Sequence, residues 1–382
     1  MKVTLGSVAS YINGFAFKPT DWSTCGLKII RIQNLTNPTS EANYYSGTYD
    51  LKYEVNRGDV LISWSASLGI YIWQDEKAVL NQHIFKVVFD KVSLNKKYFF
   101  YQVSYILKRA ESETHGATMK HLTRPVFNAL PFELPSMEQQ NFIANELDII
   151  ARLINAHKRQ LHLLDELVKS RFVETFGDPM TNSHNLPKVI LKSVLTIKPQ
   201  NGLYKPQSDY VSDKAGVPIL RIDSFYNGKV TNHSVLKRLI CSKTDLKRYL
   251  LHENDIVINR VNSIEYLGKC GLIQGLVEDT VFESNMMRLH VDERKFHPVY
   301  ITKLLCSKFI YQQILKRAKK AVNQASINQK DVESFVVYMP PLEQQINFAT
   351  FVSQIDKSRL LFKCQLLQYH SIEHIIRGRN YG

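Results

Sequence analysis

Acid-x-lysine triplets stand out first, among them Asp50-x-Lys52, Asp245-x-Lys247 and Glu293-x-Lys295. Such triplets occur in magnesium-dependent nucleases, where carboxylates hold the metal and the metal activates water against a phosphodiester. That centre also needs an acidic residue well upstream, and the chain has no Pro-Asp dipeptide to supply the common form of it. Other catalytic patterns are missing as well. There is no G-x-x-x-x-G-K-[ST] phosphate loop, no G-x-G-x-x-G turn and no H-E-x-x-H. The only Pro-Pro pair, in Met339-Pro340-Pro341-Leu342, lacks the polar and aromatic ends with which DNA amino-methyltransferases hold a flipped base. The 12 histidines are scattered, with His83, His115 and His121 nearest to a cluster. Five cysteines, an odd number without C-x-x-C spacing, argue against zinc or a disulfide framework and for a reducing cytoplasm. The residues therefore point away from catalysis and from a bound metal.

Binding chemistry is better supplied. Lys and Arg number 49 against 35 Asp and Glu, a net charge of +14, which favours a polyanion such as nucleic acid. The pentapeptide Ile-Leu-Lys-Arg-Ala occurs twice, placing Lys108 and Arg109 before Thr118 and Lys120, and Lys316 and Arg317 before Lys319, Lys320 and Ser326. Basic side chains leading into a small polar loop suit phosphate and base-edge contact. Arg31 and Arg221 each follow an apolar run, and either reads bases or pairs with a carboxylate. Trp64 and Arg260 occupy matched places with different chemistry.

These pairs are matched because the chain is a duplication. Leu5-Gly6-Ser7-Val8 answers to Leu191-Lys192-Ser193-Val194 at an offset of 186, and Gly26–Leu35 to Gly216–Phe225 at 190. Arg57–Ser63 answers to Glu253–Asn259 at 196, Met137–Gln140 to Leu342–Gln345 at 205, and the two Ile-Leu-Lys-Arg-Ala copies lie 208 apart. Five matches in one order with drifting offsets mean a repeated domain with loop insertions, too long a period for a solenoid. Asn81-Gln82-His83 aligns with Asn285-Met286-Met287, a place where the copies diverge. Each copy opens with short Val/Ile/aromatic runs punctuated by Gly, Asn and Asp, which are strand signals, and contains a helical stretch, Tyr98–Ala110 in one and Val299–Ala321 in the other.

A long helix closes each copy. Ile143, Leu147, Ile150, Ile154, His157, Leu161, Leu164 and Val168 follow a 4-3 heptad spacing. Phe348, Val352, Ile355, Arg359, Phe362, Leu366 and Tyr369 repeat it, with Gly177 and Gly378 as expected stops. Two matched seams suit packing against each other. The boundaries expected are 1–135 and 178–339 for two mixed α/β domains, and 136–177 and 340–382 for the helices. Residues 1–135 carry net +4 and 178–339 net +9, whereas 136–177 carry −1 and 340–382 carry +2, so basic lobes sit on nearly neutral struts. A helix of about 35 residues spans on the order of 50 Å, compatible with half-sites separated by one or more DNA turns.

The stretch Leu161–Pro179, with Lys169-Ser170-Arg171-Phe172 and Phe176-Gly177-Asp178-Pro179, and the Met-Glu-Gln-Gln and Leu-Glu-Gln-Gln helix entries resemble the specificity subunit of type I restriction–modification systems along essentially the whole chain. The resemblance implies two target-recognition domains, each reading one half of a split double-stranded DNA site, separated by two antiparallel helices that set the gap. It implies two modification methyltransferase subunits docked on those helices, with restriction translocase–nuclease subunits joining them. S-adenosylmethionine, ATP and magnesium then belong to the partners, and this chain binds no cofactor and is not itself catalytic. Because the copies differ, the site should not be a palindrome. The alternative is a basic scaffold that recruits partners through its coiled coil without reading sequence. No signal-peptide core and no run near ~18 apolar residues is present, so a cytoplasmic protein without membrane association is expected.

Overall fold

The computed structural model describes residues 1–37, 39–113, 122–212, 216–226, 228–230 and 236–379. The protein is mixed α/β and divides into two compact units, Met1–Arg159 with Phe362–Gly382, and Gln160–Leu361. Each unit therefore contains part of both long helices, Met137–Phe176 and Leu342–Arg379.

In the first unit an antiparallel sheet runs in the order Ser10–Asn13, Ile84–Val88, Val60–Ser63, Gly69–Ile72. A second sheet runs Asn43–Tyr45, Leu27–Ile30, Ala78–Leu80, Glu54–Val55, and its middle pair is parallel. Val60–Ser63 is buried throughout because its two faces serve two cores. Alternation along the strand sends Val60 and Ile62 to Tyr11, Phe85 and Phe127, and Leu61 to Ile30, Trp73 and Leu80. Each such aliphatic side chain contributes about 1.5–3 kcal/mol on burial.

The second unit repeats this plan. Leu195–Asn201, Met286–Val291, Ile256–Asn259 and Cys270–Leu272 lie in the same order, and Val217–Leu220 again runs parallel to Val281–Phe282. Ile256 and Ile258 face one core and Val257 another. The pair Lys2–Thr4 with Pro131–Glu133 recurs as Lys188–Ile190 with Val336–Tyr338. A close backbone approach is also duplicated. A Cβ on Gly14 would lie 2.2 Å from the Asn81 carbonyl, and one on Gly202 2.3 Å from that of Glu283, so only glycine fits. The second unit adds a hairpin, Phe225–Tyr226 with Gly228–Val230, beside Cys270–Leu272. It lies where the repeat offset grows from 190 to 196.

The Glu-Gln-Gln entries have a physical cause. Gln140 is buried, accepts from the Asn95 amide (2.9 Å) and donates to the Pro135 carbonyl (3.0 Å). Gln345 is fully buried, accepts from the His297 amide (2.8 Å) and donates to the carbonyls of Lys295 (3.1 Å) and Pro340 (2.8 Å). Each glutamine ties the segment before a domain helix to the start of a long helix. Beside the first tie, Asp148 accepts from Lys97 (2.7 Å), Arg152 (2.7 Å) and Tyr101 (3.0 Å). The Lys97 ammonium above all, then the Arg152 guanidinium, hold its carboxyl down at about 2.

The seam does two jobs. In the first unit Ile143 and Leu147 enter the sheet core, against which Ile376 also packs, and His157 meets Phe362 and Tyr369 edge-on at 5.4 Å each. His157 also bonds Gln365 (2.9 Å). Ile150 and Ile154 are buried. In the second unit Val168, Phe172 and Phe176 share a core with Phe348, Val352, Ile355 and Tyr300. Arg359 takes a seam slot by donating to Asp165 (2.6 Å), the Leu164 carbonyl (3.2 Å) and Asp356 (2.7 Å). Leu161, Leu164, Phe362 and Leu366 are half-buried. Within each unit the two helix segments run antiparallel. The Phe-Gly-Asp-Pro element is the stop of the first helix: Gly177 has φ +78 and its amide reaches back to the Val173 carbonyl (2.8 Å).

Two expectations are corrected. The second helix passes through position 378 to Arg379, so Gly378 is not its stop. Val299–Ala321 is not one helix: Pro298–Leu305 ends, Ser307 caps Lys308–Arg317, and Lys319–Lys320 is a strand paired with Ala325–Ser326. A serine whose hydroxyl accepts from the Ile310 amide (3.4 Å) restarts the helix there.

Candidate nucleic-acid interface

In the first unit, the turn after Ala78–Leu80 and the turn after Leu27–Ile30 lie side by side because those strands pair in parallel. The Asn81 amide donates to the Ile30 carbonyl (3.2 Å) and the Gln82 amide to that of Phe15 (2.9 Å). Trp22, Arg31, Gln33, Asn81, Gln82 and His83 thereby line one cleft of about 260 Å³. Arg31 lies over the Trp22 ring at 5.3 Å and donates to Asn43 (3.0 Å). Gln82 lies 3.2 Å from His83. Arginine, glutamine, asparagine and histidine are donors suited to purine edges and phosphates. Beside the cleft, Phe15, Phe17, Tyr45 and Tyr53 form a chain of ring contacts at 5.0–5.7 Å, with Phe15 40% exposed.

The second unit carries the same frame with other side chains. Leu203 bridges Glu283 as Phe15 bridges Asn81. The Arg260 amide donates to the Asn285 carbonyl (2.9 Å) as the Trp64 amide does to that of His83 (3.5 Å). Trp64 and Arg260 are thus true counterparts. The alignment of Asn81-Gln82-His83 with Asn285-Met286-Met287, however, is two residues out of register: the counterpart is Glu283-Ser284-Asn285. Arg221 occupies the place of Arg31 but pairs with Glu283 (3.5 Å), whose other oxygen accepts from the Ile222 amide (2.7 Å). Burial pushes the Glu283 carboxyl up, with Ile222 and Arg221 pulling it down.

The remaining sequence-derived positions separate into offered and engaged side chains. Lys316, Lys319 and Lys320 are exposed, the last two on a hairpin whose return strand, Ala325–Ser326, pairs with Val261–Asn262. Ser326 is half-buried in that ribbon, and Val322 at its tip is almost fully exposed. Arg317 is engaged: it donates to Ser334 (2.9 Å) and the Gln313 carbonyl (2.9 Å) and lies over Phe335. Arg260 donates to the Ser284 carbonyl (3.0 Å). Trp64 stacks on Phe85 at 5.8 Å, turned toward the core. Lys108 and Arg109 are exposed on the helix Lys96–Glu113, while Thr118 and Lys120 lie outside the described residues, as do His115 and His121. Sequence reasoning did not single out Trp22, Gln33 or Glu283; matching the ends of the parallel strands would have found the last.

Both long helices also show apolar side chains to solvent. Phe142, Ile149 and Leu163 are exposed at heptad spacing on the first, and Leu360, Leu361 and Leu367 on the second. In the second unit Lys229 of the added hairpin pairs with Asp356; burial pulls its ammonium down and Asp356 raises it. Among the described residues no group of three His, Cys, Asp or Glu could hold a metal ion, and no helix is long and apolar enough to cross a membrane.

A family model for the type I restriction modification DNA specificity domain matches residues 1–165 and again 187–368. The chain belongs to that family. Its two matches coincide with the two copies of the repeated frame, and its members are recognition subunits of type I restriction–modification systems. The EcoBI specificity subunit of Escherichia coli is 25% identical over 385 residues, 93% of this chain and 79% of that protein. The EcoKI specificity subunit of Escherichia coli K12 is 26% identical over 271 residues, 67% of this chain and 57% of that one. Among solved structures, the S subunit of a type I system from M. genitalium superposes with a TM-score of 0.59 at 13% identity, covering 100% of this chain and 95% of that one. A chain from a study of complex assembly and conformational transition in the type I system gives 0.55 at 14% identity, covering 100% and 97%. These two likenesses speak for the fold.

Proposed function

We propose that this chain reads a split, asymmetric double-stranded DNA site and directs partner subunits to it. Residues 1–135 recognise one half-site and 178–339 the other, while 136–177 and 340–382 hold the gap. The observation that carries this reading is the duplicated frame with exchanged side chains, Asn81-Gln82-His83 against Glu283-Ser284-Asn285, since one geometry used twice with different donors and acceptors is what two readers require. The neutral struts with exposed Phe142, Ile149, Leu163, Leu360 and Leu367 offer apolar ground for two modification methyltransferase subunits, with restriction translocase–nuclease subunits joining that core. The chain is non-catalytic in this reading and works in the cytoplasm; S-adenosylmethionine, ATP and magnesium act on the partners. The test is methylome sequencing of cells carrying a hybrid in which residues 178–339 come from a related chain, with a matching methyltransferase. One half of the methylated motif should change, with the other half and the gap fixed. A change of both halves, or of the gap, would refute two independent readers.

A further inference from the structure

The two units hold their arginines in one backbone setting. The Arg31 amide donates to the Asn34 side chain (3.0 Å), and the Arg221 amide to that of Ser224 (3.0 Å). Each arginine follows the inner strand Leu27–Ile30 or Val217–Leu220, opposite the residue that follows its parallel partner strand, Asn81 or Glu283. The charge differs at that opposite position. In the second unit the Glu283 carboxylate neutralises Arg221. Among the described residues Arg31 has no ion-pair partner; it is steadied by the Trp22 face and by Asn43, both uncharged.

A guanidinium fixed at its base, stacked on an indole and lacking a carboxylate is arranged to donate to something that arrives from outside. Gln33, Gln82 and His83 converge on the same cleft, so the arriving group meets several directional donors and acceptors at once. A backbone phosphodiester presents two equivalent non-bridging oxygens, which the fork can also engage, but it offers acceptors alone and gives the surrounding side chains no pattern of donors and acceptors to match. A guanine edge presents O6 and N7 side by side and matches the arginine fork in two bonds, and arginine to guanine is the commonest specific pairing in the major groove. The mixed amide and imidazole lining favours the base edge over the phosphate.

We propose that Arg31 is a specificity-determining residue of the first unit, donating to a guanine edge with Gln82 beside it, and that Glu283 closes the equivalent position of the second unit by engaging Arg221. This rests on the reading that the chain selects DNA sequence. The consequence is a directional difference between the half-sites: the first depends on the arginine after its inner strand, and the second draws its contacts from elsewhere, with the exposed lysines of the Lys319–Ser326 ribbon on offer.

The test uses the full chain assembled with its methyltransferase partner, bound to a randomised library of split-site duplexes and sequenced after selection. Arg31→Gln removes the fork. Asn81→Glu installs the carboxylate of the second unit and should silence Arg31 without removing it, which guards against a simple loss of one side chain. Both variants should weaken the selected site roughly 5- to 150-fold and relax one guanine position of the first half-site, with the second half-site unchanged. If the wild-type assembly selects no sequence, the DNA-reading function itself fails. If it selects one, and either variant retains the full motif, the proposal fails. A uniform loss on all sequences, with the salt dependence reduced by about one phosphate contact, would likewise overturn it by making Arg31 a phosphate clamp.

Discussion

Replacing Gln345 by leucine keeps a side chain of similar length but removes the amide that holds three backbone groups. The His297 amide and the Lys295 and Pro340 carbonyls would be left without it, at a site with no solvent exposure. Each unsatisfied buried group costs about 1–3 kcal/mol, so the gross loss is about 3–5 kcal/mol, allowing for relaxation. A buried leucine returns about 2 kcal/mol, which leaves a net destabilisation of roughly 1–3 kcal/mol. For a unit of some 200 residues, that corresponds to a melting shift of roughly 3–10 °C. The equivalent change Gln140→Leu releases two backbone groups, Asn95 N–H and Pro135 C=O, and should cost about 1 kcal/mol less. The assay that separates the sites is hydrogen exchange followed peptide by peptide. Gln345→Leu should expose the amide at 297 and leave that at 95 protected; Gln140→Leu should do the reverse. If both variants melt within about 0.5 kcal/mol of the wild type and neither amide loses protection, the account of the Glu-Gln-Gln entries as domain-to-helix ties is wrong.

Two more expectations follow from the charges. Changing Lys316, Lys319 and Lys320 together to alanine should weaken binding to every DNA sequence and lower the slope of log K against log salt by up to about 3; adding Arg317→Ala should cost stability with little further change in slope, because Arg317 is engaged with Ser334 and Gln313, and an unchanged slope for the triple variant would show that the ribbon does not touch phosphate. Asp148 has a folded pKa of about 2, below its ordinary 3.8, so its stabilisation is present above about pH 4 and is lost as the pH falls toward 2. Urea unfolding of Asp148→Asn should show a deficit of about 1 kcal/mol near pH 5, after allowance for solvent screening, that narrows through pH 3 and closes below about pH 2; a deficit independent of pH would assign the loss to packing.

The duplication and the long helices were legible because they rest on local spacing and on self-similarity. The seam from Ile143 to Val168 is periodic in the sequence itself, and Phe172 and Phe176 fill one aromatic core with Phe348 and Tyr300. What escaped depends on distant partners. Lys319–Lys320 is a strand only because Ala325–Ser326, itself paired on its other side with Val261–Asn262, supplies its hydrogen bonds, and no local propensity reports that. The two-residue slip at Asn81 arose because loop insertions move the offset, whereas the bridges to Phe15 and Leu203 fix it. Trp64 and Arg317 looked like free surface chemistry by residue type; their settings against Phe85 and Ser334 are tertiary facts. The parallel pairing that gathers Arg31 with Asn81–His83 joins positions some fifty residues apart, so the cleft had no signature short enough to read.

Both units take a share of each long helix, and this has a bearing on synthesis. The second unit, Gln160–Leu361, is one unbroken stretch of chain nested inside the first, which needs Phe362–Gly382 to be whole. A ribosome therefore delivers every residue of the second unit before the last piece of the first. The first unit waits, with His157 lacking Phe362 and Tyr369 and the core around Leu147 lacking Ile376, until those residues have been made. A premature stop or proteolytic nick just after Leu361 would then injure the unit begun first and spare the one made after it, so damage beyond residue 361 would be felt in the unit that holds residues 1–159.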